Sequence, residues 1–284
     1  MSLNLALVLE TNAASQPQHT AVVSNGHGMT YAQLNEARKR EGAFQGRLGV
    51  CVGDKVAMML PNVPQFIIAY FGILKLGGCV VPINTLLKAG EIAYQLEDSD
   101  ATTLIVDGPL MPEARQALAS VEACHHLIVS GRHSPAGWHS FDKLVEAGTS
   151  DLDTLQTMAD DTAVVLYTAG AVGRPKGAEL THFNLFYNAA LTAERLCSRG
   201  VGHPKVDSLP LFHAFGQTCV MNATLYAGGS LVLLRRFEPE KVLQAMQRDR
   251  VTVLMGVPTM YWYLLHYPRA EKHDWSSLRL CCSG

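Results

Sequence analysis

Charge is scarce in this sequence: 17% of its 284 residues are Asp, Glu, Lys or Arg, and the formal net charge is −2. So small a balance gives no general attraction for nucleic acid or anionic lipid, and any anion site has to be local. Long apolar runs are missing too, since no stretch approaches the ~20 apolar residues of a membrane span. The run Leu5–Leu9 is short and has no basic residue before it, so it does not read as a secretory leader. Cytoplasm is the expected location, with peripheral membrane contact left open. Neither C-x-x-C nor H-E-x-x-H spacing occurs, so no structural zinc and no metalloprotease-type site is expected from the seven cysteines and eleven histidines. The odd cysteine count fits reduced thiols packed as small hydrophobes.

What is present is core-forming material, with 48% hydrophobic residues, ample for a packed interior. Thr30 with Gln33 forms a capping-box pattern ahead of a helix with Leu34, Ala37, Phe44 and Leu48 on its apolar side. A strand at Ala21–Val23 and a turn at Asn25–Gly28 precede it. From Lys55 onward the pattern alternates. Strands at Val56–Leu60, Cys79–Val81, Thr103–Val106 and Leu127–Val129 are separated by helices at Pro64–Leu76, Glu91–Glu97 and Glu113–Ala119. A second series follows, with strands at Leu231–Leu234, Val251–Met255 and Leu278–Cys282 and helices at Pro239–Arg248 and from Pro258. Such alternation predicts an α/β fold with parallel sheets in two layered βαβ subdomains. The expected division is residues 1–200, carrying the turn described next, and 201–284 as the start of a second subdomain. Ligands in such sheets bind beyond the carboxyl ends of the strands.

The most informative stretch is Asp160–Thr181. An apolar run, Ala163–Tyr167, feeds a turn containing Gly170, Gly173 and Gly177, with Arg174 and Lys176 beside them, and a second short strand follows. Consecutive backbone N–H groups in a glycine-rich turn form a nest for anions, and a neighbouring cation strengthens the field. The spacing Gly-x-x-Gly-x-x-Lys-Gly is neither the Walker pattern nor the dinucleotide fingerprint. Two readings follow from the residues alone: a polyphosphate site, or a tight hairpin with a solvated basic tip.

Tyr167-Thr168-Ala169-Gly170-Ala171-Val172-Gly173-Arg174-Pro175-Lys176-Gly177 resembles the phosphate loop of the adenylate-forming superfamily, Y-T-S-G-T-T-G-x-P-K-G, and Thr181-His182 and Asn184-Leu185 match what usually follows it. That superfamily includes acyl-CoA synthetases, 4-coumarate ligases, luciferases and peptide-synthetase adenylation domains. The resemblance implies that Thr168 to Gly177 hold the phosphates of ATP. Ala169, Ala171 and Val172 depart from the pattern, standing where the family carries hydroxyl residues expected to bond the β- and γ-phosphates at about 1.5 to 3 kcal/mol each. Weakened, rather than absent, nucleotide binding is the expectation.

Two further segments follow strands. Leu209-Pro210-Leu211-Phe212-His213-Ala214-Phe215-Gly216 holds one imidazole among aromatic rings, which alone reads equally as a packed histidine at a helix start. It resembles the family's P-x-F-H segment, where the histidine or aromatic residue borders the acyl pocket and helps orient the carboxylate, which makes His213 a substrate-site candidate, with Phe215, Gly216 and Thr218 as further ones. Gly256-Val257-Pro258-Thr259 resembles the V-P-x segment beside the acyl chain, although Gly-Val-Pro is also an ordinary strand-to-helix turn. The sequence ends where family members continue into the adenine-binding segment, so it reads as an N-terminal fragment whose C-terminal part is missing.

The resemblance implies an enzyme that uses MgATP to convert a carboxylic acid into acyl-AMP and then passes the acyl group to coenzyme A. Apolar residues near Val257 favour a medium- or long-chain fatty acid as the substrate. A 4-coumarate-type ligase, a chain that binds acyl or nucleotide ligands without turnover, and a piece that dimerises through its sheet edge are the alternatives.

Overall fold

The computed structural model describes residues 2–131, 133–148, 152–168, 174–196, 205–207 and 209–284. In chain order the elements are α1 (Leu7–Ser15), β1 (Thr20–Ser24), β2 (His27–Thr30), α2 (Tyr31–Arg47), β3 (Lys55–Met59), α3 (Pro64–Lys75), β4 (Cys79–Pro82), α4 (Ala89–Asp98), β5 (Ala101–Asp107), α5 (Met111–Leu118), β6 (His126–Ser130), β7 (His139–Ser140), α6 (Phe141–Ala147), β8 (Thr162–Thr168), β9 (Lys176–Thr181), α7 (His182–Leu196) and β10 (Lys205–Asp207). A π-helix over Phe215–Asn222 then runs into α8 (Ala223–Tyr226), followed by β11 (Ser230–Leu233), α9 (Pro239–Asp249), β12 (Val253–Gly256), α10 (Pro258–Leu265) and β13 (Leu280–Ser283). The α/β alternation expected from the sequence is present throughout.

The elements start and stop where local chemistry directs. The Gln33 N–H donates to Thr30 Oγ1 at 3.2 Å and the Thr30 N–H to Gln33 Oε1 at 2.9 Å, completing the box at the start of α2. Thr181 and Asn184 repeat the exchange ahead of α7, each N–H donating over 3.1 Å to the other's side chain. α3 is buried at every residue from Phe66 to Lys75, which is why its sequence is apolar all round. It ends where Gly77 takes φ +76, a left-handed value that glycine adopts without steric cost.

By its internal contacts the chain divides into two compact units. One comprises Met1–Leu7, Asn35–Pro61 and Gln65–Asn184, the other Val8–Leu34, Asn62–Pro64 and Leu185–Gly284. In the first, seven strands lie in the order β7-β6-β5-β3-β4-β8-β9, all parallel except the β8–β9 hairpin. Ala57, Met59, Val81, Ile92, Leu96, Leu104, Val106, Ala114 and Val129 form its core, which places α4 and α5 against the sheet. In the second, six strands lie in the order β13-β12-β10-β11-β1-β2, parallel except for β1–β2. Its core joins Val232, Val242, Leu243, Met246, Val251, Leu254 and Leu264.

Both sheets are therefore mixed, where wholly parallel sheets are predicted from the βαβ alternation. The physical reason is turn chemistry. Asn25 and Gly26 both take positive φ (+50 and +79), the requirement of a two-residue turn that folds β2 back on β1. The alternation also does not foresee that β1, read as the start of the first series, pairs with β11 from the second, Val22 facing Leu231. Cys79 and Cys124 are packed as small hydrophobes, and burial pushes both thiols up to about 12, whereas Cys51 and Cys281 are exposed. No described helix is long and apolar enough to cross a membrane.

Candidate functional site

Strands β8 and β9 run antiparallel and bring Thr168 opposite Lys176 and Tyr167 opposite Gly177. β8 and β9 are thus the two arms of a hairpin, and Thr168 and Lys176, the last pair of its ladder, both face solvent. Ala169, Gly170, Ala171, Val172 and Gly173 lie outside the described residues. Gly177 is a glycine for packing reasons: a Cβ there would stand 2.8 Å from Val165 Cγ1 and 3.3 Å from the Tyr167 ring. A hydroxyl and an ammonium side by side at the mouth of a turn suit an anion, since the cation supplies charge and the hydroxyl a directed bond.

Tyr167, Arg174 and Pro175 of the hairpin meet α4. The Tyr94 hydroxyl lies 2.8 Å from the Pro175 carbonyl oxygen and 3.2 Å from Asp98 Oδ1. Both oxygens are acceptors for its one proton. The Arg174 guanidinium stands 5.2 Å from the Tyr94 ring centroid, a cation–π distance. Tyr167 completes the cluster, its hydroxyl donating to Asp98 Oδ2 at 2.6 Å and its ring meeting Tyr94 edge-on at 6.2 Å. Desolvation, and then the carboxylate of Asp98, raise the pKa of both phenols, so both remain protonated donors at neutral pH. A cleft of ≈ 410 Å³ adjoins them, with Leu87, Gly90, Tyr94, Ser120, Arg174 and Pro175 in its lining.

Tyr94 and Asp98 were not among the residues singled out from the sequence. Their i, i+4 spacing puts them on one helix face, but nothing local announces that this face meets a turn some eighty positions later.

In the other unit the segment 209–217 is held by side chain to main chain bonds. Asn62 Nδ2 donates to the Leu209 carbonyl at 3.0 Å, and Asn62 Oδ1 accepts from the Leu211 N–H at 2.9 Å. The His213 N–H donates to the Pro210 carbonyl at 3.1 Å, and the His213 carbonyl accepts from the Gln217 N–H at 2.8 Å. The backbone around His213 is thereby fixed while its imidazole stays exposed, 4.7 Å from the Phe212 ring centroid. Surrounding protein still lowers its pKa, so the ring is neutral at pH 7 and can accept a hydrogen bond. Asn62 is a second residue the sequence reading missed, for the same reason as Tyr94.

Gly216 is buried, and a Cβ on it would fall 2.2 Å from the Pro210 carbonyl oxygen. Gly256 ends β12, and its carbonyl accepts from the Gly284 N–H at 3.2 Å. A Cβ on Gly284 would in turn meet the Phe215 ring at 3.1 Å. Phe215 and Gly256 thus converge on one point at the end of the β12–β13 pair. Val257 and Pro258 follow directly, exposed, as the N-cap and first residue of α10. Tyr261 braces this corner, its hydroxyl 2.6 Å from the Cys282 carbonyl oxygen and 2.8 Å from that of Leu254. Among the described residues no three His, Cys, Asp or Glu side chains are grouped so as to hold a metal ion.

Comparison with known proteins addresses the family directly. The AMP-binding enzyme family matches residues 9–284, nearly the whole sequence. The chain belongs to that family. The adenylate-forming resemblance read from the phosphate hairpin is borne out by this match.

The chain is 32% identical over 306 residues to a long-chain-fatty-acid–CoA ligase of Bacillus subtilis (strain 168), covering 99% of this chain and 55% of that protein. It is 36% identical over 275 residues to a feruloyl-CoA synthase of Amycolatopsis sp., covering 96% of this chain and 52% of that one. Among solved structures it is similar to the anthranilate CoA ligase AuaEII, crystallised with anthranoyl-AMP. The TM-score is 0.95 at 29% identity, with 99% of this chain and 55% of that one covered. The chain spans about half the length of the relatives it matches.

Proposed function

We propose that the AMP-binding chain serves an ATP-dependent acid–thiol ligase, an acyl-CoA synthetase acting on a medium- or long-chain fatty acid. The observation that carries the reading is the β8–β9 hairpin, which presents Thr168 and Lys176 together at the mouth of a glycine-rich turn. In the reaction an oxygen of the carboxylate attacks the α-phosphorus of ATP, the bond to the β-phosphate breaks, and pyrophosphate leaves. The thiol of coenzyme A then displaces AMP from the acyl-adenylate. Thr168 to Gly177 hold the departing pyrophosphate, Lys176 offsets its charge, and neutral His213 accepts a hydrogen bond while the acid is placed. Phe215, Gly216, Gly256, Val257 and Pro258 line the acid's site, where the three small or apolar residues of the last segment suit a hydrocarbon chain. Magnesium arrives with the triphosphate, consistent with the ion's habit of taking phosphate oxygens and few protein ligands.

The test is calorimetric titration of the chain with MgATP. Lys176→Met is expected to weaken binding about tenfold, the cost of removing one charge-assisted contact. The combined variant Ala169→Ser, Ala171→Thr and Val172→Thr is expected to tighten it about tenfold, since each hydroxyl adds a bond to a charged oxygen and the three are not additive. Equal affinity in all three proteins would sink the phosphate-site reading. The missing hydroxyls also favour a second reading, a chain that binds nucleotide without turnover. Pyrophosphate exchange with fatty acid separates the two, because incorporation of label into ATP requires the first half-reaction.

A further inference from the structure

The β8–β9 ladder runs to Thr168 opposite Lys176 at the edge of its sheet. β9 is the edge strand of its sheet, paired with β8 alone. On its other side β8 pairs with β4 at Val164 opposite Val80, so at Tyr167 and Thr168 its ladder partner is β9. Besides that pairing, the end is held by side chains on α4, a helix anchored in the core by Ile92 and Leu96. We infer that Tyr94 is a positioning residue for the phosphate hairpin. Its hydroxyl on the Pro175 carbonyl and its ring under the Arg174 guanidinium fix the exit of the turn, and with it the place from which Lys176 meets a phosphate.

The inference rests on the phosphate-site reading above and assigns a role to a residue outside the motif. Pro175 supports it chemically. It has no N–H to offer a neighbouring strand, so its carbonyl is the one main-chain polar group through which this point of the exit can be tied down. Asp98 serves both aromatic residues, accepting from Tyr167 and lying against Tyr94, so the two phenols and the carboxylate form one connected latch. Loss of these contacts lowers the fraction of chains in which Lys176 is placed for a phosphate, and the apparent dissociation constant rises by the reciprocal of that fraction.

Inorganic pyrophosphate is the probe, titrated into the native chain, Tyr94→Phe and Tyr94→Leu, with thermal midpoints recorded alongside. Tyr94→Phe keeps the ring beneath Arg174 and removes only the hydrogen bond. Its dissociation constant is expected to rise about three- to tenfold with an unchanged thermal midpoint. Tyr94→Leu removes both contacts and is expected to rise further. Because the misplaced group is a cation, the gap between native and Tyr94→Phe should narrow as salt is added, which a purely structural role would not produce. A Tyr94→Phe chain that binds pyrophosphate as tightly as the native one overturns the latch and leaves the phosphate site standing. A native chain that does not bind pyrophosphate overturns the phosphate site and the latch with it.

Discussion

Replacing Gly216 by alanine is expected to destabilise the chain by about 3 kcal/mol or more. The added Cβ would lie 2.2 Å from the Pro210 carbonyl oxygen, 2.8 Å from its carbon and 3.0 Å from the Leu209 carbonyl oxygen. All three are backbone atoms, so no side chain can rotate away. The main chain itself must move, against two hydrogen bonds from Asn62 and one from His213 that hold the 209–213 turn in place. Under the proposed function the consequence reaches the acid's site, because the same turn carries His213. Urea denaturation of Gly216→Ala beside the native chain checks the stability loss. Binding of a fatty acid should weaken in the same variant while pyrophosphate binding, at a site in the other unit, stays unchanged. A midpoint within error of the native one would show that the turn yields freely.

Acid should cost the protein a comparable amount through one buried histidine. His182 begins α7, is 1% exposed, and accepts the Leu5 N–H on Nδ1 at 3.2 Å. Burial lowers its pKa from 6.5 to about 4, with Asp161 opposing the shift. Protonation would put a second hydrogen where Leu5 already donates. The unfolded chain therefore takes up the proton first as pH falls. Stability from the neutral ring is complete above about pH 6.5 and declines through the window down to about 4. At roughly 1.4 kcal/mol per pH unit the loss amounts to about 3 kcal/mol. His182→Asn, whose side-chain oxygen can accept from Leu5, should show a flatter profile of unfolding free energy between pH 6.5 and 5. Parallel profiles for the two proteins would exclude His182 as the titrating group.

Most of the local structure is legible in the sequence. The Thr30–Gln33 box, the apolar length of α3 and the two strands β8 and β9 are short-range features, decided by neighbours within a few residues, and each is where the sequence puts it. β2 is missed because four residues with a glycine second in line carry no alternation to read. It exists because Asn25 and Gly26 can both take positive φ. The parts of the site that were missed share another cause. Tyr94 and Asn62 act on Pro175 and Leu209, and no periodicity, capping pattern or glycine spacing relates residues so far apart.

The sequence by itself determined the alternation of the main strands and helices, the glycine-rich stretch with its basic residues and missing hydroxyls, and through that stretch the family. All of these depend on chemistry within a span of about a dozen residues. Only the tertiary structure decided that β1 joins the sheet of β11, that Tyr94 meets Pro175 while Tyr167 meets Asp98, and that Phe215 and Gly256 meet at Gly284. These depend on which strands lie side by side. That order is set by burying the apolar faces of the whole chain at once, so no short stretch of sequence contains it.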